Sequence, residues 1–292
     1  MSEALAFVSA RHARWLCFAT AALLASTEQA DAARVVTLAP HLAELVCAAG
    51  ACDQLVAVSE YSKFPQRVAS LPRIGDGFSF SYEGILAQHP DLVLAWDGGT
   101  PMAAIGRLRA LGVHVELVRA RRLDSIADAL ETIGAWLHTD ADARLAATDF
   151  RLRLAGLRAR WRGSAPLRVV YQVGTSPAYT VNSDSPISEG MALCGGINVF
   201  AGLPQIAGAV SAEAMLAARP QAVIYGSEDA PATMRAYWGR LPAADPSRFG
   251  TLYAVAADLL AQPAPRMLDG IEAVCRDLDD ARARLAARRP AG

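Results

Sequence analysis

Two stretches of this chain repeat each other: EGILAQHPDLVLAW at residues 83–96 and EAMLAARPQAVIYG at residues 213–226. Both follow the pattern Glu-x-x-Leu-Ala-x-x-Pro-x-x-Val, and they lie 130 residues apart. Each stretch predicts a short amphipathic helix, a turn at the proline and then a buried strand. The repeated unit therefore predicts an α/β protein.

A second pair of segments repeats in the same order. RVVTLAP and LVCAAG, within residues 34–50, are similar to RVVYQVG and ALCGGIN, within residues 168–198. A single matching pair can arise by chance, but two pairs in the same order favour a duplication. We therefore predict two similar lobes, at residues 34–138 and 165–292.

Residues 139–164 are predicted to connect the two lobes through one long helix. In DADARLAATDFRLRLAGLRARWRG (140–163), apolar residues recur at helical spacing, namely Leu145, Phe150, Leu154, Leu157 and Trp161. A helix of about 20 residues is near 30 Å long. As the only connector it would be stiff and would limit hinge motion of the lobes. The alternative is that it belongs to one lobe as a further helix.

Strands and helices alternate within each lobe, which predicts mainly parallel sheets with helices outside. We predict strands at 35–39, 54–59, 91–96, 113–118, 167–173, 221–226 and 249–255. We predict helices at 41–49, 82–88, 102–111, 124–137, 186–195, 211–218, 229–240 and 265–287. Ligands of such sheets bind beyond the carboxyl ends of the strands. The site is therefore expected in a cleft between the lobes.

Several residues suited to ligand contact follow predicted strand ends: Pro40, His41, Tyr61, Trp96 and the segment 174–179 with Tyr179. Tyr61, Trp96 and Tyr179 occur in polar, turn-rich loops, where a wide flat ligand can stack on aromatic rings. His41 stands at a strand-to-helix corner. It is either a hydrogen-bonding cap of the helix or a group that faces the ligand.

Composition and charge exclude some classes of protein. The 292 residues carry a formal net charge of −1, which argues against a nucleic-acid-binding surface. Residues 1–33 combine a positive start, the apolar run WLCFATAALLA (15–25) and small residues, the pattern of a secretory signal peptide. We therefore expect an exported protein. An uncleaved interfacial anchor is the alternative.

Four cysteines remain after the predicted signal peptide: Cys47, Cys52, Cys194 and Cys275. An even number in an exported chain suggests two disulfides, and three pairings are possible. Cys47 and Cys52 lie within plausible reach of each other. Cys194 and Cys275 would then tie the final helix to its lobe. A metal–thiolate site is the alternative, but no C-x-x-C spacing supports it.

Catalytic signals are weak in this sequence. It contains no G-x-S-x-G, H-E-x-x-H, P-loop or G-x-G-x-x-G motif. The histidines are scattered without ligand spacing, which disfavours a transition-metal site. An exported α/β hydrolase would need a nucleophile and a base within reach, and no such set is visible. We expect a binding protein without a cofactor and without enzymatic activity.

The chain resembles the periplasmic cobalamin-binding proteins of vitamin B12 ABC importers, a group of helix-linked solute-binding proteins. The resemblance covers about residues 34–287. Its motifs, in order, are APHLAELVCAAG, VSEYSKFPQ, LPRIGD, PDLVLAWDGG, LRALGV, ALCGGINVF, VSAEAMLAARPQAVI, YWGRLPA and APRM. It implies a monomer in the periplasm that binds cobalamin or another corrinoid and delivers it to a permease dimer. Haem or a ferric siderophore is the alternative cargo, and a sensor module for a membrane receptor is a further alternative.

The resemblance also implies roles for individual residues. Glu83 and Glu213, one on each lobe, match the acidic residues that dock onto the permease. The positions that match the ligand site are Tyr61, Trp96 with Gly98 of the same loop, Tyr179, Asp258 and Arg266. Cys194 and Cys275 match a family disulfide. The family's tryptophans before each docking glutamate are absent from IGDGFSFSYE and LPQIAGAVSAE, so part of the aromatic site is either missing or rebuilt here.

Overall fold

The computed structural model of the protein describes residues 32–77, 79–241 and 244–287. Residues 1–31 of the predicted signal peptide and residues 288–292 of the predicted second lobe lie outside the described residues. Among the described helices, none has the length and apolar character needed to cross a membrane.

The first lobe is a parallel four-stranded sheet with helices packed on it. Its elements in chain order are β1 (Val35–Thr37), α1 (Pro40–Ala48), β2 (Leu55–Val58), α2 (Tyr82–Leu86), β3 (Leu92–Trp96), α3 (Met102–Ala110), β4 (Val115–Val118) and α4 (Leu123–Trp136). The strand order is β2-β1-β3-β4. Every residue of β1 is buried, as expected for a parallel strand covered on both faces. The predicted elements of this lobe are confirmed to within a few residues.

A long helix, α5 (Asp140–Arg160), then leads to the second lobe. The elements of that lobe are β5 (Leu167–Gln172), β6 (Ala178–Val181), α6 (Pro186–Leu193), β7 (Gly196–Asn198), β8 (Ala207–Val210), α7 (Ala212–Ala217), β9 (Ala222–Gly226), α8 (Pro231–Gly239), α9 (Asp245–Phe249), β10 (Leu252–Val255), α10 (Ala257–Leu260) and α11 (Met267–Ala287). The parallel sheet has the order β10-β9-β5-β7. Two α/β lobes with parallel sheets are thus confirmed.

The second lobe contains three strands that the sequence patterns did not predict. β7 is a three-residue edge strand beside β5, and β6 and β8 form a separate antiparallel pair. These strands are short, and glycines in β7 and β8 interrupt the alternation of apolar and polar residues that marks a strand. Only their pairing with neighbouring strands identifies them.

Helix α5 approaches α4 closely where its side chains are small. Ala143, Ala147, Phe150 and Leu154 are buried, whereas Leu145 is 71% exposed, so the predicted apolar face is wrong at Leu145. The reason is a close approach to α4: a Cβ atom at Gly134 would overlap Ala143. The alanines turn toward α4 because two helices can approach this closely only where side chains are small.

Arginine and tryptophan side chains connect α5 to both lobes. On the first lobe, Arg151 pairs with Glu131 of α4 at 2.7 Å. On the second lobe, Arg160 pairs with Glu272 of α11 at 3.0 Å, and the indole N–H of Trp161 donates to Asp279 at 2.9 Å. These contacts hold the connecting helix against α4 and α11 along its length.

Two carboxylates also form hydrogen bonds directly between the lobes. Glu44 of α1 is 2% exposed, and it accepts the backbone N–H of Arg266 at 3.1 Å and the Nε–H of Arg266 at 3.0 Å. Glu189 of α6 accepts the backbone N–H of Leu123 at 2.8 Å, at the start of α4. Each lobe therefore places an acid at the beginning of a helix of the other lobe, where unpaired N–H groups and the helix dipole favour negative charge.

The four cysteines form two disulfides, Cys47–Cys52 and Cys194–Cys275. The first closes the end of α1 onto the 3₁₀ turn that follows it. The second joins the end of α6 to α11, and both of its cysteines are fully buried. The predicted pairing is thus confirmed.

His41 is buried at the corner between β1 and α1. Its side chain is 2% exposed, and Ala39, not His41, is the N-cap of α1, without a side-chain hydrogen bond. Burial lowers the pKa of His41 to about 3, so the imidazole is neutral near pH 7. In the structure His41 therefore does not act as a cap.

The buried imidazole predicts a pH-dependent stability. The pKa of His41 is about 3 in the folded protein and 6.5 ordinarily, so the unfolded chain takes up a proton that the folded protein does not. The contribution of neutral His41 to the unfolding free energy is fully present above pH 6.5 and is lost as the pH falls toward 3. For each pH unit in that window, the unfolding free energy changes by at most about 1.4 kcal/mol.

We expect the wild type to lose about 2 kcal/mol more unfolding free energy than His41→Phe when the pH is lowered from 7 to 5. Urea denaturation at both pH values measures this difference. The phenyl ring keeps the buried ring and removes the proton site. Equal pH dependence of the two proteins would contradict the assignment of a neutral, buried histidine.

The contact between Glu44 and Arg266 predicts a large effect of breaking it. Glu44→Ala leaves the partly buried guanidinium without its main acceptor, so we expect the unfolding free energy to fall by about 3 kcal/mol. The control is Glu131→Ala, which removes an exposed pair with Arg151 and should cost less than about 1 kcal/mol. A Glu44→Ala loss no larger than that of the control would show that the cross-lobe pair does not stabilise the fold.

Candidate functional site

A cleft of about 560 Å³ lies between the two lobes. The first lobe contributes the loop after β3, from Trp96 to Gly99, and the turn after β4, with Ala120 and Arg121. The second lobe contributes residues after β5 and β6 and residues around α10. The lining of the first lobe follows the carboxyl ends of the parallel strands β3 and β4, where α/β proteins bind their ligands. The predicted cleft between the lobes is confirmed.

Trp96 forms the wall of the cleft on the first lobe. Its backbone N–H donates to the hydroxyl of Thr100 at 2.9 Å, which fixes the turn at the end of β3. The indole lies directly over Gly99, and this position requires glycine because a Cβ atom there would overlap the ring. On another side the ring of His41 meets the indole edge to face, with centroids 5.0 Å apart and an interplanar angle of 81°.

The wall on the second lobe is mainly aliphatic. It contains Val173, Val181, Ile187 and Ile206, together with the buried ring of Tyr171. Burial, with the nearby charges of Glu228 and Asp229, raises the pKa of Tyr171 to about 12. Its phenol is therefore uncharged, and this wall offers apolar surface to a ligand.

The arginines at the cleft are already paired with carboxylates. Arg121, which lines the cleft, lies 3.4 Å from Asp97. Arg266 pairs with Glu44 at 3.0 Å and with Asp258 at 3.3 Å, and its guanidinium lies 3.9 Å from the ring centroid of Phe64. Burial raises the pKa of Glu44 above its ordinary value, although Arg266 opposes the shift. Neither arginine is free of a carboxylate partner.

The predicted ligand residues lie at different depths around this cleft. Trp96 and Gly98 line it, and His41 lies beneath Trp96 without lining it. Pro40 is half-buried at the start of α1. Tyr61 and Tyr179 are 67% and 45% exposed and are not among the lining residues. Asp258 and Arg266 are paired with each other beside α10 and likewise do not line it.

Sequence reasoning missed the lining residues of the second lobe. Among them are Asp184, Ser185, Pro186, Ile206 and Met267. One signal was present: Pro186 begins α6 after Ser185 as Pro40 begins α1 after Ala39, so both prolines stand at the start of a helix that follows a strand. Ile206 and Met267 carry no comparable signal, because they reach the cleft only through the fold.

Glu83 and Glu213 occupy matching positions in the two lobes. Each follows a serine that caps its helix: Ser81 accepts the N–H of Gly84 at 3.0 Å, and Ser211 accepts the N–H of Ala214 at 3.2 Å. Both glutamates are exposed. Two hydrogen bonds lower the pKa of Glu213. The larger effect comes from the Ser211 side chain, and the smaller comes from the backbone N–H of Glu213 itself. Glu213 is thus held in its charged form at the protein surface.

A metal-binding cluster is not found in the part of the chain that the structure describes. No three side chains of His, Cys, Asp and Glu in that part are placed so that they could hold a metal ion. The residues that line the cleft offer aromatic stacking, apolar contact and hydrogen bonding, together with the charges of Asp97, Arg121 and Asp184.

Comparisons with known proteins agree with this geometry. The family model described as "Periplasmic binding protein" matches residues 35–236. The Vitamin B12-binding protein of Vibrio cholerae serotype O1 is 38% identical over 261 residues, 88% of this chain and 92% of that protein. The protein of the same name from Pectobacterium carotovorum is 33% identical over 268 residues, 91% of this chain and 95% of that one.

Solved structures show the same fold. The periplasmic vitamin B12 binding protein BtuF of Vibrio cholerae superposes with a TM-score of 0.79 at 35% identity, covering 85% of this chain and 97% of that one. The periplasmic heme-binding protein RhuT from Roseiflexus sp. RS-1 has a TM-score of 0.77 at 23% identity, covering 86% and 99%, and shows the fold alone. The chain belongs to the periplasmic binding protein family.

Proposed function

We propose that this protein captures a corrinoid, with cobalamin as the first choice, and delivers it to the permease of an ABC importer. Relatives that match about nine-tenths of the chain are named for vitamin B12 binding. The cleft between the lobes is the binding site. The protein performs no covalent chemistry and needs no cofactor of its own.

The observation that carries this proposal is the pairing of two unlike walls across one cleft. Trp96 offers an aromatic face on the first lobe, and the aliphatic residues around Ile206 face it from the second. A broad ring system with apolar faces can lie between such walls. A corrin ring with amide side chains on its rim is a cargo of this kind.

The charges around the cleft favour a corrinoid over haem or a ferric siderophore. Haem propionates and acidic siderophores require cations, whereas Arg266 is already paired with Glu44 and Arg121 shares the carboxylate of Asp97 with Arg119. The imidazole of His41, a group that can ligate iron or cobalt, is buried beneath Trp96. Tyr61, on the loop after β2, is 67% exposed, and its phenol is a group that can ligate ferric iron.

The proposed ligand site extends beyond the cavity wall. Trp96 and Gly98 contact the ring, and Tyr61 and Tyr179 cover it from the rim. Asp258 and Arg266 hold the loop at the side of the second lobe, and Pro40 with His41 supports the first lobe. The exposure of Tyr61 and Tyr179 supports this role, because an exposed aromatic ring is available to a large cargo.

Glu83 and Glu213 are the proposed docking residues for the permease. Two exposed carboxylates, one on each lobe and each at the same position of a serine-capped helix, suit pairing with arginines on a dimeric partner. We further propose that the protein is monomeric, that residues 1–33 are a cleaved signal peptide and that the mature chain acts in the periplasm.

Ligand titration tests the cargo. Tryptophan fluorescence is measured while cyanocobalamin, haem or a ferric siderophore is added, and we expect saturable quenching with cyanocobalamin. Trp96→Ala should weaken the binding of cyanocobalamin at least about tenfold, since it removes the aromatic wall. Trp136→Phe, at the end of α4 and not among the residues that line the cleft, should bind as the wild type does. Saturation by haem alone would overturn the corrinoid assignment.

Charge reversal tests docking. Glu83→Arg and Glu213→Arg should leave cyanocobalamin affinity unchanged and should reduce stimulation of the reconstituted importer's ATPase about tenfold, since like charges would meet at the interface. The matched control is Asp149→Arg, at an exposed position of α5. If the control impaired stimulation as much as the docking variants do, the two glutamates would not be the docking points.

A further inference from the structure

The buried ring of His41 has no visible task except its contact with Trp96. It is not the helix cap, since Ala39 occupies that position, and it does not line the cleft. Its Nε2 atom is buried and has no hydrogen-bond partner among the described residues. A polar ring placed this deeply is therefore retained for its shape and its aromatic edge.

We propose that His41 is a positioning residue that holds the indole of Trp96 upright as the cargo-facing wall of the cleft. The imidazole acts through Trp96 and does not touch the cargo. The cargo named in the test rests on the proposed function, whereas the contact itself is a property of the protein without ligand.

The contacts of Trp96 leave its indole little freedom. Thr100 fixes the backbone of Trp96, Gly99 leaves room for the ring directly above its own Cα, and His41 meets the ring edge to face at 5.0 Å. Edge-to-face pairs of aromatic rings are favourable beyond the area that they bury. Without the imidazole, a space opens beside the indole, and the ring can tilt away from the cleft.

Coordination of a cargo metal by His41 does not fit the same geometry. The side chain is 2% exposed, and the indole of Trp96 packs against it. A metal in the cleft would reach the imidazole only if Trp96 moved aside. The positioning role and the coordinating role therefore make opposite predictions for a phenylalanine at this position, because a phenyl ring packs but does not coordinate.

The test compares three variants of the full mature protein: His41→Ala, His41→Phe and Val46→Ala. Val46 is a fully buried residue of the same helix that is not a lining residue of the cleft, so its truncation controls for general loss of packing. Each protein is labelled with 5-fluorotryptophan, and Trp96→Phe assigns the ¹⁹F resonance of residue 96. The dissociation constant for cyanocobalamin is measured by calorimetry.

In His41→Ala we expect the Trp96 resonance to shift or broaden without ligand and the dissociation constant to rise about tenfold. His41→Phe should restore the resonance and bring the dissociation constant within about threefold of the wild type. Val46→Ala should change neither.

The proposal is overturned if His41→Ala leaves the Trp96 resonance in place, or if folded His41→Phe fails to restore it. If His41→Phe restores the resonance but raises the dissociation constant at least about tenfold, and the visible bands of cyanocobalamin at saturating protein differ from those with the wild type, His41 is a coordinating residue instead. If the wild type does not bind cyanocobalamin at all, the proposed cargo is wrong, and the ¹⁹F comparison still decides the role of His41.

Discussion

The buried carboxylate of Glu44 is the constraint on which the arrangement of the two lobes depends. A charge this far from water is tolerable only with a well-aligned partner, and Arg266 of the other lobe provides both its backbone N–H and its guanidinium. Glu189 repeats the arrangement in reverse at the start of α4. If the lobes moved apart, both acids would lose their partners together.

A fixed separation of the lobes determines how the cleft can bind. Since α5 is paired with α4 on one side and α11 on the other, the walls are already in place before a cargo enters. A preformed site needs less ordering of side chains on binding, and this favours affinity. In the proposed function, the same contacts keep Glu83 and Glu213 at a constant spacing for docking.

The internal repeat in the sequence predicted the two lobes, the parallel sheets and the cleft, because each repeated unit had to bury the same apolar pattern. The sequence did not predict Glu44, since a glutamate in an amphipathic helix usually faces water. Leu145 was assigned to the packed face of α5, where the close approach at Gly134 selects alanines instead. His41 was expected either to cap α1 or to face the ligand, but Ala39 is the cap and the indole of Trp96 packs against the imidazole. In each case the deciding partner is distant in the chain.

The two lobes contribute different walls to the cleft, and a comparison of the repeated stretches shows the reason. Trp96 corresponds to Gly226, since the two residues end the matching strands β3 and β9 of the repeated stretches 83–96 and 213–226. A side chain at Gly226 would press on Ala257 of α10, at 3.0 Å from a Cβ atom, so the second lobe has no room for an indole there. The second lobe instead builds its wall from Ile206 and the valines near it. A cleft with one aromatic and one mainly aliphatic wall offers different surfaces to the two faces of a flat ligand, so the unlike walls favour one orientation of the ligand over the other.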